Sequence, residues 1–244
     1  NSLYLTSTPK KTRLGLDSTK TYYERGCLML TTMQILCKTG VITPGSHAVM
    51  FDEHDSADIN MEAIFAHPQE VSRLCRNIAD HFDTNEVATV VAPMGANCIL
   101  AHSVAHHLFT LTGKKVFNVS ADKVTTPITN HQGKEYFDFS VRDGDERFIT
   151  GKRVLIVMDS INTDASAKKM IKAVRDACGT VIGVGALCSR VNIAAADIDA
   201  VPKFIALITL IKESLSSNEC LRVGPCSRGV PANLRCNGAY SSLR

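Results

Sequence analysis

Tryptophan is absent from this 244-residue chain, and aromatic residues make up only 6% of it. A platform that stacks successive bases of a single strand needs several rings, so the composition argues against that class of nucleic-acid binder. No run of about 18 apolar residues occurs, the length required to cross a bilayer, and the longest candidate, Phe204 to Ile211, reads as one buried strand. Charge of one sign is not in large excess. Lys and Arg number 27 against 24 Asp and Glu, a formal net of +3, too small to draw nucleic acid by itself. The chain also lacks a P-loop, a G-x-G-x-x-G turn and a Ser–His–Asp signature. Pairing of every cysteine is excluded by arithmetic, because there are nine, at 27, 37, 75, 98, 178, 188, 220, 226 and 236.

The odd count fits reduced thiols in a reducing compartment. Cys98, Cys178 and Cys188 fall within expected helices or strands, where a thiol acts as a small apolar residue. Cys220, Cys226 and Cys236 gather near the C-terminus. They could hold zinc with a fourth ligand from elsewhere, but their spacings are not those of paired C-x2-C knuckles, and free thiols are the competing reading. His102 and His106 stand at i and i+4 on an expected helix, beside His107. No acid accompanies them as in a zincin motif, so they read as surface or partly buried histidines.

Apolar residues make up 45% of the chain, enough for a substantial core. Residues 1–26 are rich in Ser and Thr and carry Lys10, Lys11, Arg13, Lys20 and Arg25 against Asp17 and Glu24. Two readings are open: the mature edge of an organellar, mitochondrial transit segment, or a solvated basic tail of a cytoplasmic protein. Residues 27–40 have helical apolar spacing ending at Gly40. Val49 to Phe51 suggests a short strand, His54 to Glu62 looks irregular, and Pro68 to Phe82 predicts a helix with Val71, Leu74, Cys75, Ile78 and Ala79 on one face.

From residue 87 strand and helix signals alternate. Strands are expected at 87–92, 116–119, 137–141, 154–157, 181–187 and 204–211, helices at 99–111 and 165–178, and a loop or hairpin tip at 124–135. That alternation predicts an α/β fold: a parallel twisted sheet with helices on both faces, Rossmann-like at its core, with N- and C-terminal extensions. The expected organisation is a basic extended tail at 1–26, an α/β domain at 27–211 (an N-terminal subregion at 27–86, the core at 87–211) and a Cys-containing tail at 212–244. Ligands of such sheets sit at the carboxyl ends of the strands, which selects three loops: Pro93–Asn97, Ala121–Lys123 and Asp159–Ser166.

Those loops carry a resemblance. The run VLIVMDSINTDASA resembles the diphosphate-sugar binding signature of the type I phosphoribosyltransferases, and the closest branch is the orotate-like one. VVAPMGANCILAHSVAHHL is similar to the strand, pyrophosphate loop (Pro93, Met94, Gly95, Ala96) and helix of that family. HDSADINMEAIFAHPQEVSRLC resembles its N-terminal substrate segment, and ECLRVGPCSRGVP resembles an expanded form of a short Cys-containing tail in some members. The resemblance covers residues 27 to 235. It implies a reaction in which a nitrogenous base displaces pyrophosphate from phosphoribosyl diphosphate, with magnesium bridging diphosphate and ribose oxygens. It also implies that Asp159 and Lys123 are the catalytic remnants, and that Asp159, Thr163, Asp164, Ala165 and Ser166 line the phosphate and ribose cradle. Arg142 falls where an arginine often contacts phosphate.

Several of these positions depart from the family pattern. Met158 replaces the first of two adjacent acids. Asp164 and Ala165 replace loop glycines, Asn162 replaces a hydroxyl residue, and Met61 follows Asn60 where a lysine is usual, with Ala57 and Asp58 at tyrosine-like positions. Met94 and Asn97 are bulky for a loop that approaches a pyrophosphate closely. Asp164 sets a negative charge against an incoming phosphate, or else serves as the helix's own first-turn acid, using the amides a phosphate would use. The expectation is therefore a phosphoribosyltransferase-fold protein with a degenerate site, an accessory subunit of a larger assembly needing no cofactor and contacting protein partners through its tails. The alternatives are an active orotate-type enzyme using magnesium, or a regulator that binds a nucleotide without turnover. Neither nucleic acid nor a membrane span is expected.

Overall fold

The computed structural model describes residues 23–24, 27–28, 30–43, 45–50, 53–82, 86–129, 135–211, 214–236 and 239–241. Residues 1–31 and 32–244 form two compact units. In the first, Tyr23–Glu24 pairs antiparallel with Cys27–Leu28. The rest of the basic segment 1–26, and with it the expected partner contact of the tail, lies outside the described residues.

In chain order the second unit runs α1 (Thr32–Lys38), β1 (His47–Met50), β2 (Glu53–Asp55), α2 (Pro68–Asp80), β3 (Thr89–Pro93), α3 (Asn97–Thr112), β4 (Phe117–Thr129) and β5 (Glu135–Val141). It continues with β6 (Arg153–Ile161), α4 (Asp164–Asp176), β7 (Thr180–Ser189), β8 (Phe204–Thr209), β9 (Ser214–Ser216), α5 (Ser217–Val223), β10 (Ala232–Cys236) and β11 (Ala239–Ser241). The helix expected from residue 27 begins only at Thr32 and buries just Ile35 and Leu36. Thr31 and Thr32 are the hydroxyl-bearing residues that favour helix starts over interiors. Gly40 stops the segment at a φ of 72°, a left-handed conformation open to glycine without steric cost.

Six strands form the main sheet in the order β8-β7-β6-β3-β4-β5. β8, β7, β6, β3 and β4 are parallel, and β5 returns antiparallel to β4 through pairs such as Ala121↔Val141 and Lys123↔Phe139. The sheet is thus mixed at one edge rather than wholly parallel. The reason lies in residues 117–129, which alternate in burial at Val119 and Ala121 and continue with β-branched Val124, Thr125 and Thr126. These favour a pleated strand, so the segment expected to open into a loop at Ala121–Lys123, and again after residue 124, remains strand to Thr129.

α2 buries the face read from its spacing, Val71, Leu74, Cys75, Ile78 and Ala79, and packs against α3, which buries Leu100, Ala101, Val104, Ala105 and Leu108. α2 lies close to β7. At Gly183 an added Cβ would strike the Phe82 ring and stand 2.8 Å from the Lys203 carbonyl. α4 contributes Ala167, Met170, Ile171 and Val174 to a core cluster with Val154, Ile156 and Met158 of β6. It ends at Asp176, two residues short of expectation, because Cys178 turns the chain at a φ of 57° and is exposed.

A second sheet has the order β9-β2-β1-β10-β11. Residues 214–236 fold back onto residues 47–55: Leu215 pairs with His54, and Ala232 with His47. The stretch 54–62 that reads as irregular contains β2, a two-residue ladder of Asp58–Ile59 with Ile42–Thr43, and a short 3-10 turn over Met61–Ala66. Among the described residues, no helix is long and apolar enough to cross a membrane.

Candidate active site

In the main sheet, β3 is followed by strands on one side and β6 lies on its other side. The crevice between the carboxyl ends of β3 and β6 is therefore the topological switch point, where open α/β sheets bind ligands. Two of the three loops selected from the sequence meet there. The backbone N–H of Asp159 donates to Asn97 Oδ1 at 2.6 Å. The N–H of Met94 donates to the Ala121 carbonyl at 2.8 Å, tying the first loop to β4. Gly95 has a φ of 109° with open space where a Cβ would stand, so the turn needs glycine for its backbone and not for room.

Strand geometry explains the two residues at the end of β6. Successive side chains point to opposite faces. Met158 therefore follows Val154 and Ile156 into the cluster beneath α4 and is 4% exposed. Asp159 turns the other way, toward Asn97. Burial is the largest influence on its carboxyl and pushes it above the ordinary value; bonds from the Ser160 amide, Asn97 and the Ser160 hydroxyl, together with the charge of Arg190, pull it back. The Ser160 N–H donates to Asp159 Oδ1 at 2.5 Å.

The cradle at the start of α4 is partly occupied by the protein itself. Asn162 and Thr163 are exposed, and the Thr163 side chain makes no capping bond. Asp164, the first residue of α4, accepts a bond from the Lys168 ammonium one turn on, and also engages the backbone amides of Asp164 and Ala165. These contacts, Lys168 first, hold its carboxyl below the usual range. The amides it engages belong to the helix N-terminus, which is where a phosphate would dock. Ala165 is exposed and Ser166 half-buried beside it.

The cationic residues divide. Arg142 makes a two-pronged pair with Asp122, Nε to Oδ2 at 2.8 Å and Nη2 to Oδ1 at 3.0 Å, and reaches the Met94 sulfur at 3.7 Å. It therefore stands beside the Pro93–Asn97 loop with its charge already partnered. Lys123 lies over the Phe137 ring at 4.3 Å from the centroid, on β4 instead of on a loop. Met61 is 5% exposed at the start of its 3-10 turn, which Asn60 caps by accepting from the Glu62 amide at 3.2 Å. Asp58 is fully buried and accepts from Asn233 at 2.7 Å. Both positions, where a lysine and a tyrosine would be usual, therefore have structural contacts.

Sequence reasoning missed two residues here. Asn97 reads as an obstruction, yet its amide joins the two loops. Arg190 follows β7 directly, donates to the Ile59 carbonyl at 3.0 Å and acts on Asp159. A lone cation at the carboxyl end of a strand bordering β6 was the signal available. The histidines of α3 are not gathered: His107 bonds the Ser72 hydroxyl at 3.0 Å, while His102 and His106 are exposed.

No protein-family model matches the chain. An orotate phosphoribosyltransferase of Pelotomaculum thermopropionicum is 28% identical over 198 residues, covering 81% of this chain and 92% of that protein. One of Desulforamulus reducens is 26% identical over 200 residues, covering 82% and 92%. Among solved structures, the orotate phosphoribosyltransferase of Aeropyrum pernix superimposes with a TM-score of 0.50 at 18% identity, over 72% of this chain and 92% of that one. Along most of its length the sequence is similar to orotate phosphoribosyltransferases, and the fold is similar to that of a solved phosphoribosyltransferase structure.

Proposed function

We propose that this protein is an orotate-type phosphoribosyltransferase working at a weakened site, moving a phosphoribosyl group from phosphoribosyl diphosphate to a nitrogenous base. The observation that carries this reading is the junction of Asn97 with Asp159 at the switch point, which brings together the two loops that resemble the family's pyrophosphate and ribose contacts. In this reading Asp159 accepts hydrogen bonds from the ribose hydroxyls. Its raised pKa reflects a carboxylate poorly solvated in the free protein, for which hydroxyl donors replace missing water. Thr163, Ser166 and the amides of the α4 N-terminus bind the 5′-phosphate, and Arg142 faces the departing pyrophosphate beside Met94. Magnesium would be held with the help of one or two carboxylates, of which Asp159 would supply one. Met158 withdraws the second, so the donor set fits the ion in part. When bound, the ion neutralises charge on the diphosphate.

A second reading, a catalytically degenerate accessory subunit, is favoured by Met158 in the core and by Asp164 on the phosphate's amides. The mitochondrial placement suggested by the composition of residues 1–26 belongs to that reading. A steady-state assay with phosphoribosyl diphosphate, magnesium and orotate separates the two. Release of pyrophosphate that depends on orotate and is lost in Asp159→Asn supports the enzyme. No release, together with no calorimetric heat at millimolar phosphoribosyl diphosphate, supports the subunit.

A further inference from the structure

We propose that His47, His54, Cys220 and Cys226 form a structural zinc site that fastens the C-terminal segment to the β1–β2 hairpin. The four side chains come from two places far apart in sequence, and their ligand atoms all lie within 4.8 Å of one another. His47 Nε2 stands 3.2 Å from His54 Nδ1. Cys226 Sγ stands 3.3 Å from each of those nitrogens, and Cys220 Sγ 4.0 Å from His47 Nε2. A tetrahedral zinc ion with Zn–S of about 2.3 Å and Zn–N of about 2.0–2.1 Å sets N···N at about 3.3 Å and N···S at about 3.6 Å. These four separations lie within about 0.4 Å of those edges; the remaining two, both to Cys220 Sγ, fall within the 4.8 Å bound of the cluster, so Cys220 Sγ is the atom that closes in as the ion enters.

The surroundings are built for ligation. His47 Nδ1–H donates to the Pro231 carbonyl at 3.0 Å. A carbonyl can only accept, so this bond fixes the tautomer and leaves the Nε2 lone pair aimed at the other three ligand atoms. His54 bonds the Ser217 hydroxyl through Nε2 at 3.1 Å, freeing Nδ1 for the cluster. Outer contacts of this kind orient metal-binding imidazoles. The Cys226 amide donates to Cys220 Sγ at 3.3 Å, which fixes the sulfur beside the turn that carries Cys226. His47 and Cys220 are fully buried and Cys226 is half-buried.

Local structure explains why the chain delivers these atoms. The Ser216–Glu219 capping box starts α5, the Ser216 amide donating to Glu219 at 2.9 Å, and this sets Cys220 one turn in. At Gly224 an added Cβ would stand 2.9 Å from Cys220 Sγ and 2.7 Å from the Leu215 side chain, so only glycine lets the chain double back to bring Cys226 alongside. The β1–β2 pairing, Val49↔His54, sets the two imidazoles diagonally on the same face of the hairpin, because His47 and Val49 are two residues apart. Two soft thiolates and two imidazoles in tetrahedral array select zinc over magnesium or calcium. Four protein ligands complete the tetrahedron, which marks a structural site and not a catalytic one. The inference stands independently of the enzymatic reading, since none of the four residues belongs to the strand-end loops. The side chain of Cys236, the third cysteine considered from the sequence, lies outside the described residues.

The test is the metal content of the full-length chain purified without added chelator, with cobalt(II) exchange as a second readout. The expected result is about one zinc per chain, and on exchange the absorption of tetrahedral cobalt bearing thiolate ligands. Cys220→Ser and Cys226→Ser should lose the metal, and Cys236→Ser should keep it. If the serine variants fail to fold, the cobalt spectrum of the unmodified chain still decides. Absence of bound zinc, a cobalt spectrum without thiolate character, or loss of metal in Cys236→Ser with retention in Cys220→Ser would overturn the proposal.

Discussion

At the strand ends, side chains have turned toward the protein: Asn97 accepts from the Asp159 amide, Asp164 takes Lys168 and the first amides of α4, Arg142 pairs with Asp122, and Met158 joins the core. Around His47 the opposite holds. The outer atoms of the imidazoles are committed to Pro231 and Ser217, and the inner atoms converge on one another. A site that satisfies its own polar groups holds its shape without a ligand, and ligand affinity is the cost. A site whose lone pairs converge needs an ion between them, since a buried polar group without a partner is expensive. The first region therefore depends little on its ligand for stability, and the second depends on it heavily.

Chelation tests that contrast most severely. Removing zinc should lower the melting temperature by more than about 5 °C, because structural zinc supplies folding free energy outright. Adding phosphoribosyl diphosphate and magnesium should raise it by less than about 2 °C at ligand concentrations near the dissociation constant. Equal responses would erase the distinction. A finer probe is Ser217→Ala, which removes the outer partner of His54 and leaves all four ligands. Metal affinity should fall roughly 10–100-fold, as is usual for such partners, read by competition with a chromophoric chelator. An unchanged affinity would mean that Ser217 does not orient the ring.

The smallest expected effect lies at Asp159. Its carboxyl is raised in the folded protein by burial, so the folded state holds the proton more tightly than the unfolded state does. Stability then declines as pH climbs from the ordinary carboxylate value through the raised one, and the loss is complete above it. Asp159→Asn keeps an oxygen to accept from Ser160 and removes the charge. It should raise the melting temperature by about 2 °C at pH 7, with the gain vanishing in acid below the ordinary carboxylate value. A gain that persisted in acid would assign the effect to packing instead. The same variant should bind phosphoribosyl diphosphate less well, making Asp159 a residue kept for binding at the expense of stability.

The two regions were also unequally legible in the sequence. The strand-end loops are contiguous stretches whose strand, turn and helix are set by local pattern, so residues 153–176 and 89–112 can be read in place. The buried faces of α2 and α4 follow from apolar spacing alone. The cluster joins residues 47 and 54 to 220 and 226, and only the pairing of β1 with β10 and of β2 with β9 brings them together. No local pattern encodes that pairing. Zinc on Cys220, Cys226 and Cys236 therefore competes in the sequence with free thiols and has no visible histidine partner, and His54 sits in a stretch that reads as irregular. Asn97 and Asp122 were opaque for a similar reason: their bonding partners lie 62 and 20 residues away.

The claim that the site is weakened rests on Asp164, which holds amides a 5′-phosphate would otherwise use. Calorimetric titration of phosphoribosyl diphosphate with magnesium into the parent and into Asp164→Gly tests it directly. The account predicts roughly two- to fivefold tighter binding by the variant, the scale of one exposed charge. Equal or weaker binding by Asp164→Gly, with the fold intact, would contradict it.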